Sequence, residues 1–176
     1  KNIDFNIIKG NIDAEITDII YDSRKVVQGT VFVALKGYNV DGHKFIPQAV
    51  SQGASAIVVS DDVDITEDIT VIKVDDTRKA LAYMSAMLFG EPAKELTTIA
   101  LTGTKGKTTT VAMLKSILNA EGISVGTIGT LGIIVGDKIY KTNNTTPESY
   151  EIQQAMRKMV DSGCKAMIIE ASYQGA

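Results

Sequence analysis

Leu96-Thr97-Thr98-Ile99-Ala100-Leu101-Thr102-Gly103-Thr104-Lys105-Gly106-Lys107-Thr108-Thr109 passes from an apolar run to two glycines and then to a lysine followed by hydroxyl residues. Leu96 to Leu101 predicts a strand. Lys107 to Glu121 predicts a helix with Val111, Leu114, Ile117 and Leu118 turned inward and Gly122 past its end. A glycine-bearing turn between a strand and a helix suits a nucleotide phosphate, because successive N–H groups can face one concave space and the helix N-terminus adds its positive dipole end. Gly103, Thr104, Lys105, Gly106, Lys107, Thr108 and Thr109 are therefore the candidate nucleotide-phosphate loop, with Lys107 reaching the β and γ phosphates and the Thr108 hydroxyl offered to Mg2+. The match to G-x-x-x-x-G-K-[ST] is partial: Leu101 stands where the first glycine belongs, and Gly103 comes only three residues before Gly106. Alone, Gly-Lys-Thr also fits a lysine-bearing helix start; its placement between strand and helix favours the phosphate loop.

Downstream, Ser124 to Ile128 predicts a second strand, followed by a glycine-rich stretch through Gly129, Gly132 and Gly136. Thr146-Pro147 then opens a helix with Thr146 as cap, Pro147 in its first position, and Ile152, Met156, Met159 and Val160 on one face. Gly163 closes it, and Lys165 to Glu170 predicts a strand apolar enough to be buried on both faces. Strand, helix, strand, helix, strand implies right-handed crossovers and a parallel sheet.

Upstream, Val31 to Leu35, Ala54 to Val59 and Thr70 to Val74 predict strands, with a short helix over Pro47 to Gln52. A longer helix starts at Thr77 as N-cap, carries Leu81, Met84 and Leu88 on one face, and stops at Gly90 and Pro92. Asp61, Asp62, Asp64, Glu67 and Asp68 form an acidic run that reads as a solvated loop rather than a metal site, because nothing fixes the carboxylates in convergence. Glu91 to Glu95 is polar and proline-bearing, so the expected boundary separates domains 1–93 and 94–176. The fold class is α/β throughout.

The chain has 176 residues and a formal net charge of −3, with 44% hydrophobic and 22% charged residues. That composition supports a buried core and removes a bulk pull toward nucleic acid or anionic lipid. One cysteine, Cys164, excludes an internal disulfide and reads as a small buried apolar residue. No apolar run approaches the roughly 20 residues that span a bilayer. The expectation is a cytoplasmic monomer that engages neither nucleic acid nor membrane. The start at Lys1 and the end at Ala176, directly after an apolar run, lead to the further expectation that at least one end is cut.

Thr-Gly-Thr-x-Gly-Lys-Thr-Thr, placed near residue 100, resembles the phosphate loop of the Mur ligases, where asparagine is usual at the position of Lys105. Tyr21-Asp22-Ser23-Arg24, Gly29 to Gly37 and Asp41-Gly42-His43 resemble the N-terminal domain of those family members that add the third residue and the terminal dipeptide. Gly126-Thr127-Ile128-Gly129-Thr130, Asn144-Thr145-Thr146-Pro147 and Glu170-Ala171-Ser172 resemble the third-residue branch. Tyr173 departs from this pattern, in which a second serine is usual.

The resemblance implies a small uridine-binding α/β domain followed by the first half of a P-loop parallel-sheet ATPase domain. It implies that Tyr21, Ser23, Tyr38, Asn39 and Val40 hold the uridine end of the substrate. Asn144, Thr145, Thr146 and Ser172 meet its muramoyl-peptide portion, and Thr108 and Glu170 hold magnesium. Ser23 read by itself is a turn residue, and His43 by itself has a structural or surface role. The implied activity is ATP-dependent addition of a third amino acid to UDP-N-acetylmuramoyl-L-Ala-D-Glu in peptidoglycan synthesis, through an acyl phosphate, with Lys107 and Glu170 as its chemical residues. A fragment of this length is expected to turn over little alone. The competing readings are a folylpolyglutamate synthetase-like ligase, a non-catalytic nucleotide-binding module and a P-loop kinase. Residues 1–93 argue against the first, and the want of a lid or arginine cluster after the loop argues against the last.

Overall fold

The computed structural model describes residues 3–11, 13, 15–37, 40–142 and 144–172. Backbone contacts divide the chain into two units, Lys1–Met84 and Ser85–Ala176, a division that falls inside a helix ahead of the Glu91 to Glu95 stretch.

The first unit is built on a five-stranded sheet of β1 (Phe5–Lys9), β2 (Asp18–Ile20), β3 (Thr30–Val33), β4 (Ala56–Val59) and β5 (Thr70–Val74), in the order β1-β5-β4-β3-β2. β2 to β5 are parallel and β1 joins the edge antiparallel. β3 and β4 are buried along their whole length, as their β-branched runs require of central parallel strands. Helix α1 (Ile46–Ser51) lays Ile46 and Ala49 into a core with Phe32, Ile57, Val59 and Val71. β1 and β2 are only five and three residues long and gain their stability from the strands they join.

Helix α2 (Thr77–Leu88) buries Ala80, Leu81 and Ser85, whereas Leu88 is exposed, contrary to the expected Leu81-Met84-Leu88 face. Its cap is Asp76 rather than Thr77. The Asp76 carboxylate accepts the N–H groups of Arg78 at 2.8 Å and Lys79 at 3.0 Å, while Thr77 lies inside the helix with its side chain buried.

The second unit carries β6 (Thr97–Leu101), α3 (Lys107–Ala120), β7 (Val125–Gly129), β8 (Gly132–Val135), β9 (Lys138–Tyr140), α4 (Ser149–Asp161) and β10 (Ala166–Glu170). Its sheet runs β6-β10-β7-β8-β9. The expected parallel pairing holds for β6, β10 and β7, while the stretch expected to be only glycine-rich forms the antiparallel strands β8 and β9. Because the β6-α3-β7 crossover leaves a gap one strand wide, β10 inserts between its two predecessors and is buried from end to end.

Alternate residues of β10 serve the two faces, as strand geometry dictates. Ala166 and Ile168 pack with Val111, Leu114 and Leu118 of α3, and Met167 and Ile169 pack with Ala155, Met156 and Met159 of α4. Ile117, expected inward, is exposed. At about 100° per residue it lies roughly 90° from the centre of the Val111-Leu114-Leu118 stripe. Cys164 is buried in the α4 core, matching its apolar reading. Helix α4 starts later than expected, with Glu148 as N-cap and no side-chain cap bond. Thr146 cannot cap it because its hydroxyl is engaged at the end of β10. Among the described residues no helix is long and apolar enough to cross a membrane.

Candidate functional site

The site of the second unit follows from strand register. In the parallel β6–β10 pair, Glu170 lies opposite Leu101, the residue from which the glycine loop departs, and the Ala171 N–H donates to the Leu101 carbonyl at 2.8 Å. The carboxyl ends of two adjacent strands thus place the loop and Glu170 side by side, where ligands bind in open α/β sheets.

The loop turns through Gly103 and Gly106, whose φ values of 142° and 81° suit glycine. Gly106 is the N-cap of α3 without a side-chain cap bond, so the first N–H groups of the helix face the loop. Lys107 Nζ folds back over the loop and donates to the Gly103 carbonyl at 2.6 Å. Thr104, Lys105 and Thr109 are exposed. Thr108 Oγ1 donates to Glu170 Oε2 at 3.0 Å, across 62 residues of sequence.

Glu170 is only 2% exposed, and among the described residues no Lys, Arg or His pairs with it. Its partners are three neutral donors: the Thr108 hydroxyl, the Thr130 N–H at 3.2 Å to Oε1 and the Thr130 hydroxyl at 3.2 Å to Oε2. A buried carboxylate without a counter-charge, beside a threonine hydroxyl, is an all-oxygen donor set that fits a hard divalent cation. The residues present therefore fit the Mg2+ and phosphate that the loop implies.

Thr146 Oγ1 donates to the Glu170 carbonyl at 2.8 Å and accepts the Ser172 N–H at 2.9 Å. Ser172 Oγ lies 3.0 Å from the same hydroxyl. These bonds stitch the 144–147 segment to the end of β10. Thr145 Oγ1 comes within 3.5 Å of Thr130 Oγ1, and Asn144 is exposed, its carbonyl accepting from Thr142. Lys107, Thr108, Thr145, Thr146, Glu170 and Ser172 are therefore brought together. Thr130 joins them although its sequence carried no signal beyond family likeness.

In the first unit, Ser23 is buried and its hydroxyl donates to Gln48 at 2.9 Å. Asp22 caps the same turn and pairs with Arg24, whose side-chain hydrogen bond holds the Asp22 carboxyl below the usual carboxylate range. Tyr21 is half-buried and Val40 exposed; Tyr38 and Asn39 lie outside the described residues.

His43 donates from Nδ1 to Asp41 at 2.6 Å and accepts the Ser60 N–H on Nε2 at 3.0 Å. Asp41, His43 and Asp61 lie close together, but both ring nitrogens are engaged, which gives His43 a structural role and leaves no lone pair for a metal. In the acidic run, Asp61 and Asp62 pair with Lys36 and Lys73, and Lys9 Nζ donates to the carbonyls of Ile65, Thr66 and Glu67.

Comparison with known proteins bears on both units. Residues 101–176 match a model described as the Mur ligase middle domain, and residues 15–88 match one described as the Mur ligase family catalytic domain. A UDP-N-acetylmuramoyl-L-alanyl-D-glutamate--2,6-diaminopimelate ligase of Clostridium perfringens is 47% identical over 172 residues, covering 98% of this chain and 36% of the relative. The enzyme of the same name from Bacillus licheniformis is 44% identical over 163 residues, covering 93% and 33%. A solved structure of a ligase so named superposes with a TM-score of 0.73 at 25% identity, covering 94% of this chain and 34% of its own. The chain thus spans about a third of the length of these relatives. With both units matched by models of one family, in the order and at the positions its motifs predict, the chain belongs to the Mur ligase family.

Proposed function

We propose that the chain supplies the UDP-substrate and ATP-binding parts of a ligase that joins a third amino acid to UDP-N-acetylmuramoyl-L-Ala-D-Glu. The observation that carries this reading is the meeting of Lys107, Thr108 and Glu170 at the ends of β6 and β10. In the proposed reaction a carboxylate oxygen of the substrate forms a bond to the γ-phosphorus of ATP as the bond to ADP breaks. The amino group of the incoming amino acid then attacks the acyl carbon, releasing phosphate and a proton as the amide forms. Both partners of the first step are anionic, so its barrier is largely repulsion.

Lys107, now turned onto Gly103, carries the charge that would reach the β and γ phosphates, and the loop N–H groups bind the phosphate oxygens. Thr108 and Glu170 would hold Mg2+, which when bound supplies neutralisation of the phosphoryl oxygens. Asn144, Thr145, Thr146 and Ser172 orient the peptide end of the substrate. In the first unit, Tyr21, Ser23 and the 38–40 segment bind the uridine end. The relatives bearing the diaminopimelate ligase name support this substrate class.

Calorimetric titration of the chain with UDP-N-acetylmuramoyl-L-Ala-D-Glu and separately with MgATP tests the reading. Lys107→Ala is expected to abolish ATP binding and leave binding of the UDP substrate intact. Binding of ATP without any binding of the UDP substrate would instead mark a bare nucleotide-binding module.

A further inference from the structure

We propose that Thr130 is a positioning residue that fixes the Glu170 carboxylate for a divalent cation and couples that cation to the 144–146 segment, an inference that rests on Glu170 holding the cation. Thr130 follows the last residue of β7, and β7 pairs with β10, so the register that delivers Glu170 also delivers Thr130. Its backbone N–H fixes Oε1 and its hydroxyl fixes Oε2, while the Thr108 hydroxyl meets Oε2 from the other unit of secondary structure at the site, helix α3. A carboxylate held at both oxygens by groups of one residue has lost its freedom to rotate, and for a cation ligand that orientation sets affinity.

The coupling comes from proton supply. The Thr130 hydroxyl has one proton and two acceptors in reach, Glu170 Oε2 at 3.2 Å and Thr145 Oγ1 at 3.5 Å. When a cation engages the lone pairs of Oε2, the carboxylate becomes the poorer acceptor, and the proton is better placed on Thr145. Thr145 sits beside Thr146, which is already tied to Glu170 and Ser172. Filling the cation site therefore tightens the segment proposed to hold the peptide end of the substrate.

The test uses Mn2+ with ADP on the 176-residue chain, with free Mn2+ measured by electron paramagnetic resonance. Thr130→Val removes the hydroxyl while keeping the shape and the N–H; Thr130→Ser restores the hydroxyl. Thr130→Val is expected to weaken Mn2+ binding about tenfold, with Thr130→Ser retaining most of the affinity. Because the Thr130 hydroxyl is one of three donors to the buried Glu170 carboxylate, Thr130→Val is expected to stay folded with a lowered melting temperature and Thr130→Ser to restore it. In a second arm, Mn2+ with ADP tightens calorimetric binding of UDP-N-acetylmuramoyl-L-Ala-D-Glu to the parent chain, and Thr130→Val removes that enhancement.

Unchanged Mn2+ affinity in Thr130→Val, or a loss in Thr130→Ser as large as in Thr130→Val, overturns the positioning role. An enhancement that is absent from the parent or survives in Thr130→Val overturns the coupling. Glu170→Gln separates the two levels. If it weakens Mn2+ while Thr130→Val does not, only the role of Thr130 falls; if it leaves Mn2+ unchanged, the cation reading and this proposal fall together.

Discussion

Glu170 closes a strand that is buried along its whole length, and its carboxylate has room only because the residue beside it has no side chain. A Cβ built on Gly129 would stand 2.3 Å from Glu170 Oε1 and 2.7 Å from Cδ, inside any real contact distance. Gly129→Ala must therefore displace the carboxylate. The expected outcome is at least a tenfold loss of Mn2+ affinity in the presence of ADP, with about 1–3 kcal/mol of destabilisation in a urea melt from overpacking. Full Mn2+ affinity in a folded Gly129→Ala variant would show that the site tolerates a shifted Glu170. In the first unit, Asp41 is held below the usual carboxylate range, first by the His43 N–H and then by the His43 ring. A depressed pKa contributes stability that is present above the unfolded value of about 3.9 and is lost as pH falls through the lower folded value. Asp41→Asn keeps the acceptor for the His43 N–H but has no charge. Parent and variant are therefore expected to differ in urea stability above the unfolded carboxylate value and to converge as pH falls through the lower folded value of Asp41; a gap that persists in acid would mean that shape rather than charge is what Asp41 supplies.

At the scale of elements, the sequence is most legible where a period or a turn residue is local. The strand-turn-helix that carries the glycine loop could be read from its own residues because strand, glycines and helix are contiguous, and the two-sided burial of β10 followed from its unbroken apolar run. Glu170 acquired meaning only through family likeness. Its meeting with Thr108 is made by β6–β10 register across 62 residues, which no local pattern encodes. The β8–β9 hairpin has no distinct signal because Gly132, which opens β8, and Gly136, which makes the turn into β9 with φ of 57°, also punctuate loops. The cap of α2 was misplaced by one residue because Asp76 and Thr77 both have the chemistry of a cap. Burial decided between them, turning the threonine into the interior and leaving the aspartate to meet Arg78 and Lys79. Asp76→Ala is accordingly expected to cost about 1 kcal/mol, read as a lower urea midpoint with an unchanged slope. Thr77→Ser, which keeps a hydroxyl but removes a buried methyl, is expected to act through packing; equal urea midpoints for Asp76→Ala and the parent would return the cap to Thr77.

Among the described residues, each of three buried clusters draws its members from a single unit. Phe32, Ile57, Val59 and Val71 form a cluster with members from the first unit alone. Met156, Met159, Met167 and Ile169 form one confined to the second, as do Val111, Val125 and Ile168 on the other side of the sheet. Hydrophobic burial stabilises whatever it joins, so a void made in one of these clusters is expected to loosen the sheet packed on it before the other. Met159 is fully buried and is packed against Gly126, where a Cβ would meet its sulfur. Met159→Ala leaves a void that the β7 backbone cannot fill, at a cost of about 2–5 kcal/mol. Hydrogen exchange reads the consequence by location: amides of β7 and β10 are expected to lose protection in Met159→Ala while those of β3 and β4 keep theirs. Phe32→Ala is expected to do the reverse, at about 3–5 kcal/mol. Loss of protection spread evenly over both sheets in either variant would show that the units open together.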